Sequence, residues 1–211
     1  MNGRKKYKGE LYSFFRSERN IGSGGNGAVY DVEFEGDEGF EFPIVAKFFE
    51  YGGVDKEKRY NRFKNEIIAL NALKGIEGIM EVIDKQCPHV VPQTKDEAWY
   101  LMPKAKPYKL NRKRNIYSKI LEMLQLARII QSIHERDKAH RDIKPENILV
   151  LNGKLVLSDF GLCWVSAKYC YAAHESRLHQ NDRCKRFTLC LVLTVRFRSL
   201  APWGKLFQLF I

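Results

Sequence analysis

The stretch His140-Arg141-Asp142-Ile143-Lys144-Pro145-Glu146-Asn147 runs into Ile148-Leu149-Val150-Leu151, then Asn152-Gly153, then Lys154-Leu155-Val156-Leu157, and closes on Ser158-Asp159-Phe160-Gly161. Two short apolar runs separated by Asn-Gly predict a hairpin with a type I′ turn, because both turn residues tolerate positive φ. Such a hairpin carries Asp142 and Asn147 at one end close to Asp159. Two carboxylates and a carboxamide on one rim are oxygen donors suited to Mg²⁺, with one carboxylate to spare as a base.

This stretch resembles the catalytic loop and metal-binding motif of the eukaryotic-type protein kinase family, in the order and spacing that family requires. Upstream segments extend the resemblance. Gly22-Ser23-Gly24-Gly25-Asn26-Gly27-Ala28-Val29 reads G-x-G-x-x-G-x-V. Glycines let backbone N–H groups approach phosphate oxygens without side-chain obstruction. A dinucleotide fold uses similar spacing but opens a helix there. Here Ala28 to Phe34 alternates with period two, so a strand follows, as in the kinase arrangement.

A strand over Phe40 to Phe49 contains Ile44-Val45-Ala46-Lys47. A lysine among apolar residues is costly unless its ammonium finds anions. The motif is similar to the family's Val-Ala-Ile-Lys, except that the alanine precedes the lysine by one place instead of two. Val45 then occupies the position usual for the small adenine-contacting residue. The next helix is expected to start at Asp55 and to stop at Gly75. Tyr60, Phe63, Ile67 and Leu70 mark its apolar face, with Glu66 beside it.

Strands are predicted over Ile79–Ile83 and Trp99–Met102. Cys87 and His89, in the loop between them, are too few for a metal site. Pro103–Pro107 reads as a hinge, and Ile116 to His134 as a long amphipathic helix that begins on the solvated run Arg112-Lys113-Arg114.

The resemblance implies an α+β bilobal fold: residues 11–102 an antiparallel-sheet lobe with one long helix, 103–107 the hinge, and 108–161 the start of a mainly helical lobe. It implies that Ile21, Gly22, Gly24, Gly27 and Val29 cover ATP, with Val45, Met102 and Lys104 around the adenine. Lys47, held by Glu66, would bind the α and β phosphates. Asp142 would take the acceptor proton, Lys144 would neutralise the moving phosphate, and Asn147 with Asp159 would hold Mg²⁺. His140 and Phe160 are expected to pack in the core. Lys144-Pro145 leans toward the serine/threonine branch, and small-molecule phosphotransferases commonly lack that pair.

Residues 1–10 read as a flexible basic leader. Residues 162–211 carry no recognisable kinase motif. Ala201-Pro202 is followed by Trp203 where the family has glutamate, and this segment holds +6 of the net charge of +11. The alternative implied is a catalytically inactive truncated kinase or nucleotide-binding scaffold, with a partner covering the unfinished lobe. Cys170, His174, His179 and Cys184 match no strong Zn²⁺ spacing.

The expected partner is a protein substrate. The basic charge finds no recognisable nucleic-acid module. The apolar run Leu189–Val195 is too short to span a bilayer. Unpaired cysteine spacing and the lack of a signal peptide point to a reducing, cytoplasmic setting.

Overall fold

The computed structural model describes residues 4–24, 27–94, 96–109, 111 and 113–163. Six strands form one antiparallel sheet in the order β1-β2-β3-β4-β6-β5. They are β1 (Lys6–Lys8), β2 (Ser13–Gly24), β3 (Gly27–Phe34), β4 (Ile44–Phe48), β5 (Asp84–Gln86) and β6 (Trp99–Pro103). Helix α1 (Lys56–Ala72) packs on one face. A second sheet, β7-β8-β9, joins β7 (Lys106–Pro107) to the hairpin β8 (Ile148–Leu151) and β9 (Lys154–Leu157). Helix α2 (Ile116–Glu135) precedes that hairpin.

Strand alternation sorts the core into two layers. On β4, Ile44, Ala46 and Phe48 face an aromatic cluster with Tyr7, Phe14, Trp99 and Leu101. Val45 and Lys47 face the other way, toward α1. On β6, Tyr100 and Met102 join the α1 side, with Tyr60, Phe63, Ile67 and Leu70. The hairpin turn is as predicted: Asn152 and Gly153 have φ of 50° and 79°.

Several boundaries differ from the sequence reading. The leader assigned to residues 1–10 contains β1, paired to β2, with Tyr7 buried between Phe14 and Phe48. Strand β4 starts at Ile44, not Phe40, because Pro43 has no N–H to extend the ladder. Ile79–Ile83 is not a strand. Met80 N–H donates to the Leu157 carbonyl and Ile83 N–H to that of Leu101, so the segment passes from one sheet to the other. Asp55 stands at the N-terminus of α1 but has left-handed backbone (φ 58°), and its side chain makes no cap. Helix α1 ends at Ala72, before Gly75. Helix α2 begins at Ile116, capped by the Asn115 side chain, which accepts from Ser118 N–H at 2.8 Å.

Asp84 fastens the amino-terminal turn. Its buried carboxylate accepts backbone N–H bonds from Glu10, Leu11 and Tyr12 at 2.9–3.1 Å. A Cβ on Gly9 would collide with that carboxylate, so the turn needs glycine there. Asp84→Ala leaves three amides short of a partner and is expected to cost about 2 kcal/mol. Faster hydrogen exchange at residues 10–12 would accompany it. Exchange unchanged at those amides would count against the assignment.

Helix α2 buries only Ile129, Ile130 and Ile133 among its described side chains, while Tyr117, Leu121 and Leu124 form an exposed apolar stripe. The calls on residues 164–211, including the Cys/His set, Ala201-Pro202 and the apolar run, lie outside the described residues, as does Arg112. Leu162 and Cys163, assigned to the tail, complete a short 3-10 turn, Phe160–Leu162, with Cys163 buried beyond it.

Candidate active site

Antiparallel pairing places Val29 opposite Lys47, Lys47 opposite Tyr100 and Val45 opposite Met102. The described arms of the glycine loop, the end of β2 and the start of β3, are therefore in the same sheet as the lysine strand, with β3 beside it, and Ile21, Gly22 and Gly24 are exposed. Gly27 is required by space: a Cβ there would collide with the Phe48 carbonyl.

Lys47 and Glu66 meet as the helix phase predicted. The Lys47 ammonium donates to Glu66 Oε1 and Oε2 at 2.8 and 2.7 Å. Glu66 is only 1% exposed. Burial pushes its carboxyl above the ordinary glutamate value, Lys47 pulls it back, and nearby Asp159 adds to the rise. Tyr100, which sequence reasoning did not single out, donates its hydroxyl to Glu66 Oε1 at 3.0 Å. Period-two alternation puts Tyr100 on the Met102 face, but only the register reveals that it faces Lys47.

The loop before β8 is a closed hydrogen-bond net. Lys144 Nζ donates to Asp142 Oδ2 at 2.7 Å, and Asn147 Nδ2 donates to the same oxygen at 3.1 Å and to the Asp142 carbonyl at 2.8 Å. That bond with Asp142 pushes the Lys144 ammonium up. Both side-chain bonds fall on Oδ2, which leaves Oδ1 for an incoming hydroxyl. Asn147 is buried with Nδ2 engaged by Asp142, which makes its Oδ1 the candidate cation ligand.

His140 ties this loop to the end of β9. Its Nε2–H donates to the Ser158 carbonyl at 2.9 Å, and Nδ1 accepts from Asp142 N–H at 3.3 Å. Those two partners select one neutral tautomer. Burial lowers the imidazole, consistent with the neutral form, although the Ser158 bond opposes the shift. The His140 and Phe160 rings lie 4.4 Å apart in the core, as expected. Arg141 and Asp159 adopt left-handed backbone, φ 67° and 59°. Each such non-glycine residue costs roughly 1 kcal/mol or more; here they flank the rim.

Asp159 opens the 3-10 turn, and its side chain does not cap it. One carboxylate and one carboxamide suit Mg²⁺, which binds through few protein ligands plus phosphate oxygens and water. Lys104 meets its expectation least well. Its N–H donates to the Pro43 carbonyl at 2.7 Å and its ammonium to Asp31 at 2.6 Å, leaving only its carbonyl for a nucleotide. Cys87 packs against the Tyr60 hydroxyl at 3.5 Å.

Residues 15–172 match the profile of the protein kinase domain. A probable casein kinase I homolog of Encephalitozoon cuniculi is 30% identical over 151 residues, covering 68% of this chain and 44% of the relative. The probable serine/threonine-protein kinase YbdM of Bacillus subtilis is 30% identical over 154 residues, covering 70% and 57%. The serine/threonine-protein kinase mph1 of Schizosaccharomyces pombe is 28% identical over 151 residues, covering 67% and 21%. The chain belongs to the protein kinase domain family. It spans about half the length of the first two relatives.

Proposed function

We propose that this chain carries the nucleotide-binding lobe, residues 11–102, the hinge, 103–107, and the catalytic rim, within 108–161, of an ATP- and Mg²⁺-dependent protein serine/threonine kinase. The observation that carries this reading is the buried Lys47–Glu66 pair. An ammonium fixed by both oxygens of one carboxylate keeps its third N–H for a phosphate.

Lys47 binds the α and β phosphates beneath the glycine loop. Asp142 orients the acceptor hydroxyl and takes its proton as the oxygen attacks the γ-phosphorus. The bond from that phosphorus to the bridging oxygen breaks, and ADP leaves. Lys144 balances the charge on the transferring group. Asn147 and Asp159 hold Mg²⁺, which neutralises phosphate charge when bound. The relatives' names and Lys144-Pro145 favour serine or threonine acceptors. No described helix is long and apolar enough to cross a membrane. Among the described residues Cys87 and Cys163 form no disulfide, and a reducing setting fits this reading.

A second reading, a nucleotide-binding scaffold completed by a partner, is favoured by the exposed stripe on α2. Labelled ATP, Mg²⁺ and a serine/threonine peptide library separate the two. Label transfer that falls by at least about 100-fold in Asp142→Asn is expected for the kinase. ATP binding without transfer supports the scaffold, and no ATP binding overturns both.

A further inference from the structure

We propose that Tyr100 is a positioning residue for the phosphate-binding lysine: its hydroxyl holds Glu66 so that Lys47 stays directed into the cleft when its ammonium turns to a phosphate. This rests on the reading of Lys47 given above.

Three elements converge on Glu66. Lys47 comes from β4, Tyr100 from β6 and Asp159 from the turn after β9. Glu66 is buried, so its carboxylate must find its donors within the protein. Oε1 has two, the Lys47 ammonium at 2.8 Å and the Tyr100 hydroxyl at 3.0 Å. Oε2 has Lys47 at 2.7 Å. Lys47 shares its ammonium between Glu66 and a phosphate, whereas the Tyr100 hydroxyl is given to Glu66.

The Tyr100 ring is suited to this task. It is 1% exposed and packs against Phe63 of α1, with ring centroids 5.7 Å apart. The Lys47 ammonium lies 5.9 Å from the ring centroid. A phenylalanine would make the same packing contacts. A hydroxyl in such a place is costly unless it is bonded, and here its bond goes to Glu66. Burial pushes the phenol far above its ordinary range, so it remains a donor. Because β6 pairs with β4, the bond ties α1 to the sheet beside the lysine and independently of it.

The test uses the full chain and Tyr100→Phe, which removes one oxygen. MgATP affinity is measured by calorimetry. Exposure of the Lys47 amine is followed by its rate of acylation with a small reagent, read by peptide mass spectrometry. Weakening of MgATP binding by roughly fivefold to tenfold, the weight of one hydrogen bond, and faster Lys47 acylation are expected. In a Glu66→Met background, which removes the acceptor, the same substitution should change neither quantity further.

Wild-type affinity with wild-type acylation in Tyr100→Phe overturns the proposal, as does an equal effect in the Glu66→Met background. Tyr100→Met, also lacking the hydroxyl, repeats the test if the first variant melts early. Failure of the wild-type chain to bind MgATP would overturn the kinase reading instead, since acylation reports the hold on Lys47 without nucleotide.

Discussion

Lys47→Met is expected to lower the unfolding free energy by about 3 kcal/mol around pH 8 and, under the proposed kinase function, to abolish phosphoryl transfer; its pH dependence is the sharper part. Methionine fills the space of the lysine stem, so the cost falls on Glu66 rather than on a cavity. A buried charge that loses its partner typically costs about 3–5 kcal/mol. In this variant Tyr100 alone among the described residues remains to donate to Glu66.

The carboxyl, already pushed up by burial and Asp159, rises further without Lys47. As pH falls, a raised carboxyl binds its proton in the folded chain before it does so in the unfolded one. Stability therefore grows as pH drops through the raised value and levels off near the ordinary value of 4.5. The deficit of the variant should be largest at alkaline pH and shrink toward acid. Urea unfolding of both proteins across that range measures it. A deficit constant with pH would show that Glu66 is not the seat of the cost.

Phe160→Ala should destabilise the chain by about 4 kcal/mol, the usual cost of emptying a fully buried aromatic site. Phe160 is 0% exposed and shares its cluster with Phe63, Ile67 and Leu70 of α1. Its ring also meets His140. The cavity would open beside the helix that carries Glu66 and next to Asp159, so both Asp159 and the lysine's partner would loosen. Phe160→Leu, which restores most of the volume, should recover more than half of the loss. Thermal melting reads the difference, with a drop of roughly 10 °C expected for alanine. A drop of a degree or two would mean that the neighbours collapse into the space.

The residues whose roles come from local pattern were the ones legible in the sequence. Asn152-Gly153 demands one turn type. The spacing of Phe63, Ile67 and Leu70 sets the phase of α1 and places Glu66 on the Lys47 side. Other features depend on register or on distant segments. Tyr100 reads as an ordinary strand aromatic until β6 is paired with β4. Asp84 reads as a loop acid until residues 10–12 wrap over it, since nothing local tells which amides it will gather. Ile79–Ile83 alternates like a strand, but its backbone bonds go to two different sheets. Tyr7 looks like part of a polar leader because β1 is short and its neighbours are lysines.

The bridge between Ile79 and Leu157 bears on how the molecule comes together. Lys47 and Glu66 are separated by 19 positions. The contact that fixes the acid-bearing end of the hairpin joins residues nearly eighty positions apart, counted from Ile79 to Leu157. Closing the longer loop costs about 1 kcal/mol more in chain entropy. The Lys47–Glu66 half of the cleft is thus a short-range assembly that a growing chain completes early. The Asp142–Asp159 half waits for the ribosome to deliver Leu157, and it is set in place against a sheet whose strands have by then all been made.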